Sequence, residues 1–218
     1  GAIVISPMGK EIEVGANTTI IGMGIDASID SGGFRIKDVS NVIIQNLKIR
    51  DTYVTWDGKT TDNDAIEINN SHHVWVDHCE LSQMDDGLID VKNGANYVTI
   101  SWCRFSNQNK VMLFGSSDDH TQDRDRLKVT LHHNWFDGTV GRGLNQRNPR
   151  VRFGDIHLFN NYYEKVSSYC ISSRMEADVV VENNYFKDCN DPHSWESDGT
   201  DPELAGSGNK YKDCTGMR

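Results

Sequence analysis

The sequence lacks a long apolar run and a surplus of positive charge. No stretch of its 218 residues approaches the length of a membrane-spanning helix, and the chain opens almost directly into an apolar run at residues 2–5, without a signal-like segment. We therefore expect a mature chain, or one that begins inside a fold. The formal net charge of −10 argues against general nucleic-acid binding, which needs a basic surface. An anionic substrate would require a local basic patch or a bound cation.

Common cysteine, serine and histidine motifs are also missing. The five cysteines form no C-x-x-C or comparable zinc-binding spacing, and the G-x-S-x-G pattern of a serine nucleophile does not occur. His132 and His133 are neighbours in a predicted strand, so we expect them to face opposite sides and not to bind one metal ion together. The histidines around Trp75 fit core or ladder positions better than ligand positions.

The strongest positive signal is an internal repeat of 23 to 32 residues. Each copy begins with an alternating, β-branched run typical of a strand, turns at a polar residue and ends on an aromatic or aliphatic one. Six copies align, at residues 42–49, 74–81, 98–105, 129–136, 156–163 and 179–186. A weaker copy begins at residue 18, and another ends the chain near residue 211.

Two columns of similar side chains run through these copies. Asn134, Asn161, Asn184 and Asn209 share one position, and aromatic rings share another, at residues 105, 136, 163, 186 and 211. Because asparagine tolerates left-handed backbone and bonds stacked neighbours through its amide, the columns predict side-chain ladders. We predict an all-β parallel solenoid that forms a single domain over residues 1–218. The alternative is a β-sandwich with coincidental spacing, but sandwiches do not repeat side chains in columns.

The cysteines fit the same columns. Cys79 and Cys103 occupy the asparagine position on earlier coils, and Cys189 and Cys214 are one coil apart. Strands about 4.8 Å apart would allow a disulfide in either pair. We expect unbridged thiols at Cys79 and Cys103, which lie in the core column, and we leave the state of the other pair open.

Polar segments between the copies predict loops at residues 50–63, 115–126 and 137–149. The segment 190–208 is rich in Asp, Ser, Gly and Pro, and it is also predicted to be a loop. In a solenoid, insertions of this kind gather on one side and often form the binding face.

A second strand precedes most copies and carries charged residues on its outward face. Alignment of the apolar residues predicts two outward columns: Glu67, Asp90, Met112 and Arg152 in one, and Ala65, Leu88, Lys110 and Arg150 in the other. One exposed face would therefore carry carboxylates on its early coils and cations on its later coils.

The acidic end of this face contains four aspartates, Asp62, Asp64, Asp86 and Asp90. Crowded carboxylates repel one another unless a cation neutralises them, and their hard oxygen atoms suit calcium. Residues four apart in a straight strand are about 13 Å apart, too far to share one ion, so we expect the chain to bend at Gly87. Without that bend, the calcium ligands would shift to Asp64 and Asp90, with Glu67. Solvated acids around a simple turn are the alternative.

The basic end is the segment 147–152, in which Arg147, Arg150 and Arg152 surround Pro149. Pro149 biases Asn148 to extended geometry, and arginine side chains bind carboxylates bidentately. An arginine cluster beside an acidic, metal-binding pocket is hard to explain as a solvated face alone. It indicates a site for an anionic polymer.

Five segments now resemble one known family. They are VWVDHC at 74–79, DGLIDV at 86–91, K-V-x-L-x-G-S-S-D at 110–118, HHN at 132–134 and R-x-P-x-x-R at 147–152. As an ordered set, running from residue 1 to about residue 186, they resemble the pectate lyases of polysaccharide lyase family one. The resemblance implies a right-handed, single-stranded parallel β-helix and secretion. It also implies calcium-dependent cleavage of α-1,4-polygalacturonate by β-elimination to 4,5-unsaturated oligogalacturonides.

The resemblance also implies residue roles. The primary calcium ligands of the family match Asp64, Asp86 and Asp90, and a ligand of a second, substrate-bridged calcium ion matches Asp62. The groups that bind substrate carboxylates match Lys110 and Arg152. The group that takes the C5 proton matches Arg147. Arginine does not normally lose its proton in proteins, so Arg147 needs help from the cations around it, and an alkaline pH optimum is expected. The family usually has more N-terminal chain, including a cap on the coil, and residues after 186 match none of its signatures.

Three other functions remain as alternatives. Polygalacturonase shares the coil but hydrolyses its substrate; D-D-G at 85–87 and R-I-K at 35–37 resemble its motifs, but in the wrong order, and no G-H-G occurs. Pectin lyase should lack the calcium-binding acids. A non-catalytic pectin-binding β-helix is disfavoured by Arg147, Lys110 and the acids, but the short N-terminus keeps it open. The oligomeric state is also open, since the ends of a coil could associate.

Overall fold

The chain folds into a parallel β-helix in a computed structural model, in which residues 1–52, 61–195 and 200–217 are described. Most coils contribute one strand to each of three parallel sheets, here called sheets 1, 2 and 3 in their order along a coil. The predicted all-β, single-stranded parallel β-helix is therefore confirmed. Residues 53–60 of the predicted loop at 50–63 lie outside the described residues. Within the described residues, no helix has the length and apolar character needed to span a membrane.

The three sheets stack their strands in chain order. Sheet 1 consists of Lys10–Glu13, Gly32–Lys37, Ile66–Asn69, Ile89–Lys92, Met112–Phe114, Arg150–Arg152, Ile171–Arg174 and His193–Trp195. Sheet 2 consists of Thr18–Ile21, Ser40–Gln45, His72–Asp77, Asn96–Ser101, Val129–His132, Asp155–Phe159, Asp178–Glu182 and Glu203–Ser207. Sheet 3 consists of Ala2–Val4, Ser28–Asp30, Lys48–Arg50, Glu80–Ser82, Arg104–Ser106, Trp135–Asp137, Tyr162–Glu164, Tyr185–Lys187 and Lys210–Lys212.

Two shorter elements lie outside the three sheets. Gln108–Lys110 pairs with Leu144–Gln146 to form a two-stranded parallel sheet, so the predicted loop at 137–149 contains a strand. A 3-10 helix at Thr121–Asp123 interrupts the predicted loop at 115–126. Gln108 donates to the Asp86 carbonyl, and Asp123 accepts a bond from the Gly94 N–H, so each element lies next to one end of strand Ile89–Lys92 of sheet 1.

The core is a set of side-chain columns that run along the coil. The rings predicted to stack, at residues 105, 136, 163, 186 and 211, have successive centroid separations of 5.1, 4.4, 4.6 and 5.3 Å. Four of the five rings are completely buried. Because burial of apolar area stabilises by roughly 25 cal/mol per Å², and each aromatic ring buries a large area, this column contributes strongly to folding.

The turn from sheet 2 to sheet 3 has the same two-residue form on successive coils. The first residue has a left-handed backbone, with φ near 55° at Asn160 and Asn183, and the second points inward. The inward Asn161 side chain accepts hydrogen bonds from the backbone N–H and the amide of Asn134, at 3.0 Å each, and donates to Asn184 Oδ1 at 2.9 Å. The predicted asparagine ladder is confirmed, although the left-handed residue is the one before each rung.

Cys79 and Cys103 continue this ladder toward the N-terminus. The Cys103 N–H donates to Asn134 Oδ1 at 2.9 Å, and the Cys79 N–H donates to Cys103 Sγ at 3.4 Å. No disulfide links the two side chains, and both thiols are buried. The prediction of unbridged thiols in the core column is therefore confirmed.

The left-handed turn also changes the positions of paired histidines. Strand Val129–His132 ends at His132, and His133 adopts φ 56°. The two Nδ1 atoms are consequently 3.0 Å apart, and the predicted orientation to opposite sides is wrong. The His133 ring stacks on Trp102 at a centroid separation of 4.6 Å.

The segment 190–208, predicted to be a loop, contains two strands, so that prediction is wrong in part. His193–Trp195 pairs with Ile171–Arg174, and Glu203–Ser207 pairs with Asp178–Glu182. Residues 196–199 lie outside the described residues. An exposed edge of a parallel sheet offers N–H and C=O groups to any segment that can lie along it, so composition rich in turn formers does not prevent pairing.

The predicted register of sheet 1 is wrong by one residue at strand Met112–Phe114. Asp90 is aligned with Leu113, which is in turn aligned with Arg150, instead of with Met112 and Arg152. Met112 and Phe114 are buried in the core. Val111 leaves the strand, and its carbonyl accepts bonds from the N–H groups of both residues 88 and 89. A run of four apolar residues has no alternation that would fix which of them faces inward.

Candidate active site

The acidic end of the outer face of sheet 1 is built around Gly87. The Gly87 N–H donates to Asp64 Oδ1 at 2.8 Å. A Cβ atom at position 87 would lie 2.8 Å from Asp64 Oδ1 and 2.9 Å from Asp90 Oδ1. Asp64 lies just before strand Ile66–Asn69, and Asp90 lies within the next strand of the sheet. The absence of a side chain at position 87 therefore leaves a small space between two carboxylates.

Both of these carboxylates are buried, and burial disfavours their charge. Asp64 is 1 % exposed and Asp90 is 6 % exposed. Burial and the Asp90 carboxylate raise the pKa of Asp64 well above its usual range, while Lys92 opposes the rise. Burial raises the pKa of Asp90 to about 6, opposed by Lys92 and Arg147 and assisted by Asp86. The pair holds more buried negative charge than its neighbours balance.

The chain bends before Asp90, in the region where the sequence predicts it. Strand Ile89–Lys92 begins only at Ile89, and Asp86 lies in a bend outside it. Asp86 Oδ1 is 3.5 Å from Lys110 Nζ, and its charge acts on both Asp64 and Asp90. Asp62 is exposed and lines the same open cleft as Asp86 and Asp90.

Lys110 reaches this cluster from a different element than the one predicted. It belongs to the short strand Gln108–Lys110 and is aligned with Gln146, so its predicted column with Leu88 and Arg150 is wrong. The reason is the break at Val111, which separates this strand from sheet 1. The Lys110 ammonium nevertheless approaches Asp86 and so contacts the acidic end of the face.

The basic end is a crowded group of guanidinium groups. Arg150 faces outward between its register partners Leu113 and Ser172. Burial, together with Arg152 and Arg174, lowers the pKa of Arg150, and Arg147 adds to the effect. The Nε atoms of Arg147 and Arg150 are buried and have no hydrogen-bond partner within the part of the chain that the structure describes. These donors are suited to an anionic ligand.

Arg152 is held more firmly than its neighbours. Its Nε forms an ion pair with Asp118, and its Nη1 donates to the Gly115 carbonyl at 3.1 Å. Both partners lie in the predicted loop at 115–126, and the Arg152 side chain is only 11 % exposed. Five of the predicted site residues thus interact with one another: Asp64, Asp86, Asp90, Lys110 and Arg147. Arg152 is instead bound to the loop at 115–126.

Comparison with known proteins identifies the family to which this arrangement belongs. A sequence profile described as pectate lyase matches residues 8–201. The chain belongs to the pectate lyase family. A pectate trisaccharide-lyase of Thermotoga maritima is 46 % identical over 167 residues, which cover 75 % of this chain and 44 % of that protein. A pectate lyase of Bacillus subtilis is 39 % identical over 184 residues, which cover 72 % and 42 %.

Solved pectate lyase structures have the same fold. The pectate lyase of Bacillus sp. N165 in complex with trigalacturonate superposes with a TM-score of 0.81 at 31 % identity, covering 98 % of this chain and 72 % of that one. A thermostable pectate lyase superposes with a TM-score of 0.79 at 34 % identity, covering 91 % and 56 %. The chain spans about half the length of the curated relatives it matches.

The donor set of this pectate lyase chain suits a calcium ion by its chemistry. The candidate ligands are hard carboxylate oxygens, two of them are buried with excess negative charge, and they line a space that a single Cβ would fill. Among the described residues, no three Asp, Glu, His or Cys side chains converge closely enough to hold a metal ion as they stand. The acids therefore fit calcium in the type of their ligand atoms and in their charge. Complete coordination would require further oxygen ligands beside Asp64 and Asp90.

Arg35, Asn69 and Lys92 also line the cleft and were not assigned a role at this site from the sequence, and Glu67 was predicted only as a calcium ligand for the case without a bend at Gly87. Lys92 Nζ is 3.1 Å from Glu67 Oε2 and 4.0 Å from Asp64 Oδ2. Burial alone would raise the pKa of Glu67, but the bond from Asn69 and the charges of Lys92 and Arg35 lower it. The available signal was the strand alternation, because Lys92 lies two residues after Asp90 and must share its face.

Proposed function

We propose that the protein is a calcium-dependent pectate lyase that cleaves α-1,4-polygalacturonate by β-elimination and releases 4,5-unsaturated oligogalacturonides. The observation that carries the proposal is the meeting of buried carboxylates with Lys110 and Arg147 on one face of a chain of this family. Some solved relatives were crystallised with a hexasaccharide or with trigalacturonate, which is consistent with such a substrate. We also propose that the protein is secreted, because a polymeric substrate cannot enter a cell.

Asp64, Asp86 and Asp90 would hold the primary calcium ion, and Asp62, at the rim, would hold a second ion shared with the substrate. When bound, calcium would neutralise part of a uronate carboxylate and make the C5 proton more acidic. Lys110 and Arg152 would bind substrate carboxylates through charge-assisted hydrogen bonds. An acidic protein can then bind an acidic polymer, because the repulsion is offset at this one face.

Arg147 would take the C5 proton. In β-elimination the C5 proton leaves, a C4–C5 double bond forms and the C4–O bond breaks, with a proton then taken up by the leaving oxygen. An arginine accepts a proton only after it has lost its own. Arg147 lies within electrostatic reach of Arg150, whose own pKa is lowered by its burial and its arginine neighbours. Because Arg147 must lose its own proton before it can accept one, we expect the rate to increase into the alkaline range.

The test is a spectrophotometric assay on polygalacturonate in the near ultraviolet, where the unsaturated product absorbs. We expect absorbance to increase in the presence of calcium and to stop increasing after a chelator is added. Arg147→Ala should reduce the rate by about a thousandfold or more, since it removes the proton acceptor. Arg142→Ala, which changes an exposed arginine in the same predicted loop, is the matched control and should retain most activity.

Five results would contradict the proposal in different ways. If no unsaturated product forms in calcium, the protein is not a lyase on this substrate. Reducing ends without ultraviolet absorbance would indicate the hydrolase, and retention on a pectate gel with neither product would indicate a binding protein. Full activity of Arg147→Ala would remove that residue as the base. Detection of the native protein only inside its source cells would contradict secretion.

A further inference from the structure

We propose that Glu67 is a positioning residue that holds the Lys92 ammonium to one side of Asp64 and Asp90 and so keeps that carboxylate pair available to calcium. The inference rests on the proposed function, because it takes these two aspartates as calcium ligands. It adds a residue that contacts neither the ion nor the substrate.

The register of sheet 1 brings these groups together. Glu67 is aligned with Asp90, and Asn69 is aligned with Lys92, on two adjacent parallel strands. All four side chains line the open cleft on the outer face. Lys92 therefore lies between two sets of carboxylates, the proposed calcium ligands Asp64 and Asp90 on one side and Glu67 on the other.

The distances show which carboxylate Lys92 contacts. Its Nζ atom is 3.1 Å from Glu67 Oε2, within hydrogen-bond range, but 4.0 Å from Asp64 Oδ2. The Asp64 oxygen that accepts the Gly87 N–H is the other one, Oδ1. Lys92 thus hydrogen-bonds Glu67 and lies only at the longer distance of an ion pair from Asp64.

Glu67 is itself fixed in place from two further directions. Asn69 Nδ2 donates to Glu67 Oε1 at 2.9 Å, and Arg35 Nε is 3.4 Å from the same oxygen. The residue is only 5 % exposed. One carboxylate oxygen is therefore committed to Asn69 and Arg35 and the other to Lys92, so Glu67 is a rigid anchor and not a mobile surface acid.

Glu67 affects calcium binding because the Lys92 ammonium and a calcium ion would compete for the same carboxylates. An ammonium ion and a calcium ion are attracted to the same carboxylates and repel each other, and at a few ångströms in a partly buried site salt screens this repulsion only weakly. If the negative charge of Glu67 is removed, Asp64 becomes the nearest carboxylate to Lys92. The ammonium would then move toward Asp64 and oppose calcium.

Calcium binding measured by isothermal titration calorimetry on the intact protein tests the proposal. Glu67→Gln, which keeps the size of the side chain, should raise the calcium dissociation constant by about tenfold. Lys92→Met should leave the dissociation constant unchanged or lower it. In the double variant, loss of Glu67 should have almost no further effect, because the ammonium that it restrained is gone.

Glu13→Gln is the matched control. Glu13 lies on the same sheet and is also close to Arg35, at 4.0 Å, but its side chain is 71 % exposed. The Glu13→Gln variant should bind calcium with the same dissociation constant as the unaltered protein. Glu67→Asp, which keeps the charge on a shorter side chain, should recover part of the affinity lost in Glu67→Gln. A purely structural role for Glu67 would not produce this dependence on Lys92.

The possible contradictions are separable. If Glu67→Gln weakens calcium binding equally with and without Lys92, Glu67 is a calcium ligand and the positioning role is wrong. If Glu67→Gln binds calcium normally, or if Lys92→Met weakens binding, the positioning role fails while the lyase proposal stands. If the unaltered protein binds no calcium, the calcium dependence of the proposed function and this inference fail together.

Discussion

Two columns of polar side chains run along this coil, and they differ in almost every respect. At the turn between sheets 2 and 3, the rungs from Asn134 to Asn209 are the same residue repeated, and each amide bonds the next. On the outer face of sheet 1, the aligned residues change from coil to coil, from Glu67 to Asp90 to Leu113 to Arg150. The asparagine column is uniform, and its hydrogen-bonding groups are paired. The column on sheet 1 is heterogeneous and mostly charged.

The difference separates stability from chemistry. A rung such as Asn161 is buried, yet its donors and acceptors are paired, so burial costs little. Asp64 and Asp90 are equally buried, but burial raises the pKa of both, and the nearby Nε atoms of Arg147 and Arg150 have no hydrogen-bond partner among the described residues. The fold tolerates these buried charges and unpaired donors because the repeated columns stabilise the coil elsewhere.

The largest expected effect comes from breaking the uniform column in its middle. Asn161→Leu keeps the size of the side chain but leaves the Leu131 carbonyl and the Asn134 N–H without their partner. Because buried unpaired groups each cost about 1–3 kcal/mol, we expect the free energy of unfolding to decrease by about 4 kcal/mol. Denaturant titration measures this change, and calcium affinity well below the unfolding transition should stay the same.

Asn209→Leu, at the last rung, is the comparison for this variant. Its amide donates to the Val181 carbonyl at 2.7 Å, but the residue is only half-buried. Water can reach the groups that it leaves unpaired, so the loss should be about 1–2 kcal/mol. Equal losses at Asn161 and Asn209 would mean that pairing within the ladder does not set its stability.

A smaller effect, of a different kind, is expected at Gly87. An alanine Cβ there would lie against Asp64 Oδ1 and Asp90 Oδ1 and force the two carboxylates apart. Overpacking of this type costs about 2 kcal/mol, which corresponds to a loss of roughly 30-fold in calcium affinity. Calorimetric titration with calcium measures the dissociation constant of the Gly87→Ala variant.

Gly15→Ala is the matched control for Gly87→Ala. A Cβ at position 15 would meet only Thr18 Oγ1, at 3.9 Å, so this variant should bind calcium normally. If Gly87→Ala also binds calcium normally, the space between Asp64 and Asp90 is not the ion site.

The uniform column could be predicted from the sequence, and the reason is physical. A ladder needs the same residue at each coil, so its rungs appear as repeated letters at coil spacing, and the aromatic column is visible in the same way. The family resemblance pointed to charged residues that the fold brings to one face, where Asp86 meets Lys110 and Arg147 acts on Asp90. The sequence also indicated the bend before Asp90, because two carboxylates four residues apart cannot share an ion on a straight strand.

The heterogeneous face was predicted less well. The register of strand Met112–Phe114 was wrong by one residue because its apolar run has no alternation, and Lys110 belongs to a separate short strand. Arg150 instead of Arg152 is aligned with Leu113, a shift of two residues that the first error does not explain. The pairing of Glu67 with Lys92 was missed because alternation gives the face of each side chain but not which of several neighbours it contacts. Those choices depend on distances of a few ångströms that only the folded coil sets.

The smallest expected effect concerns a buried polar group that belongs to neither column. His193 faces inward from the last strand of sheet 1, bonds the Tyr211 hydroxyl at 2.7 Å and has an Nδ1 atom without a partner in the described residues. Burial lowers the pKa of His193 to about 4. Because the unfolded chain binds this proton at higher pH, near 6.5, stability is full above that pH and is lost as the pH decreases toward 4. Between pH 8 and pH 5.5 the loss should be about 1.4 kcal/mol.

Denaturant titrations at pH 8 and pH 5.5 isolate this contribution as a difference between variants. His193→Phe, which cannot titrate, should change with pH by about 1.4 kcal/mol less than the unaltered protein does. His157→Gln, at a half-buried position on sheet 2, should keep the full difference. If His193→Phe and the unaltered protein respond equally to pH, the imidazole is not held neutral by the core.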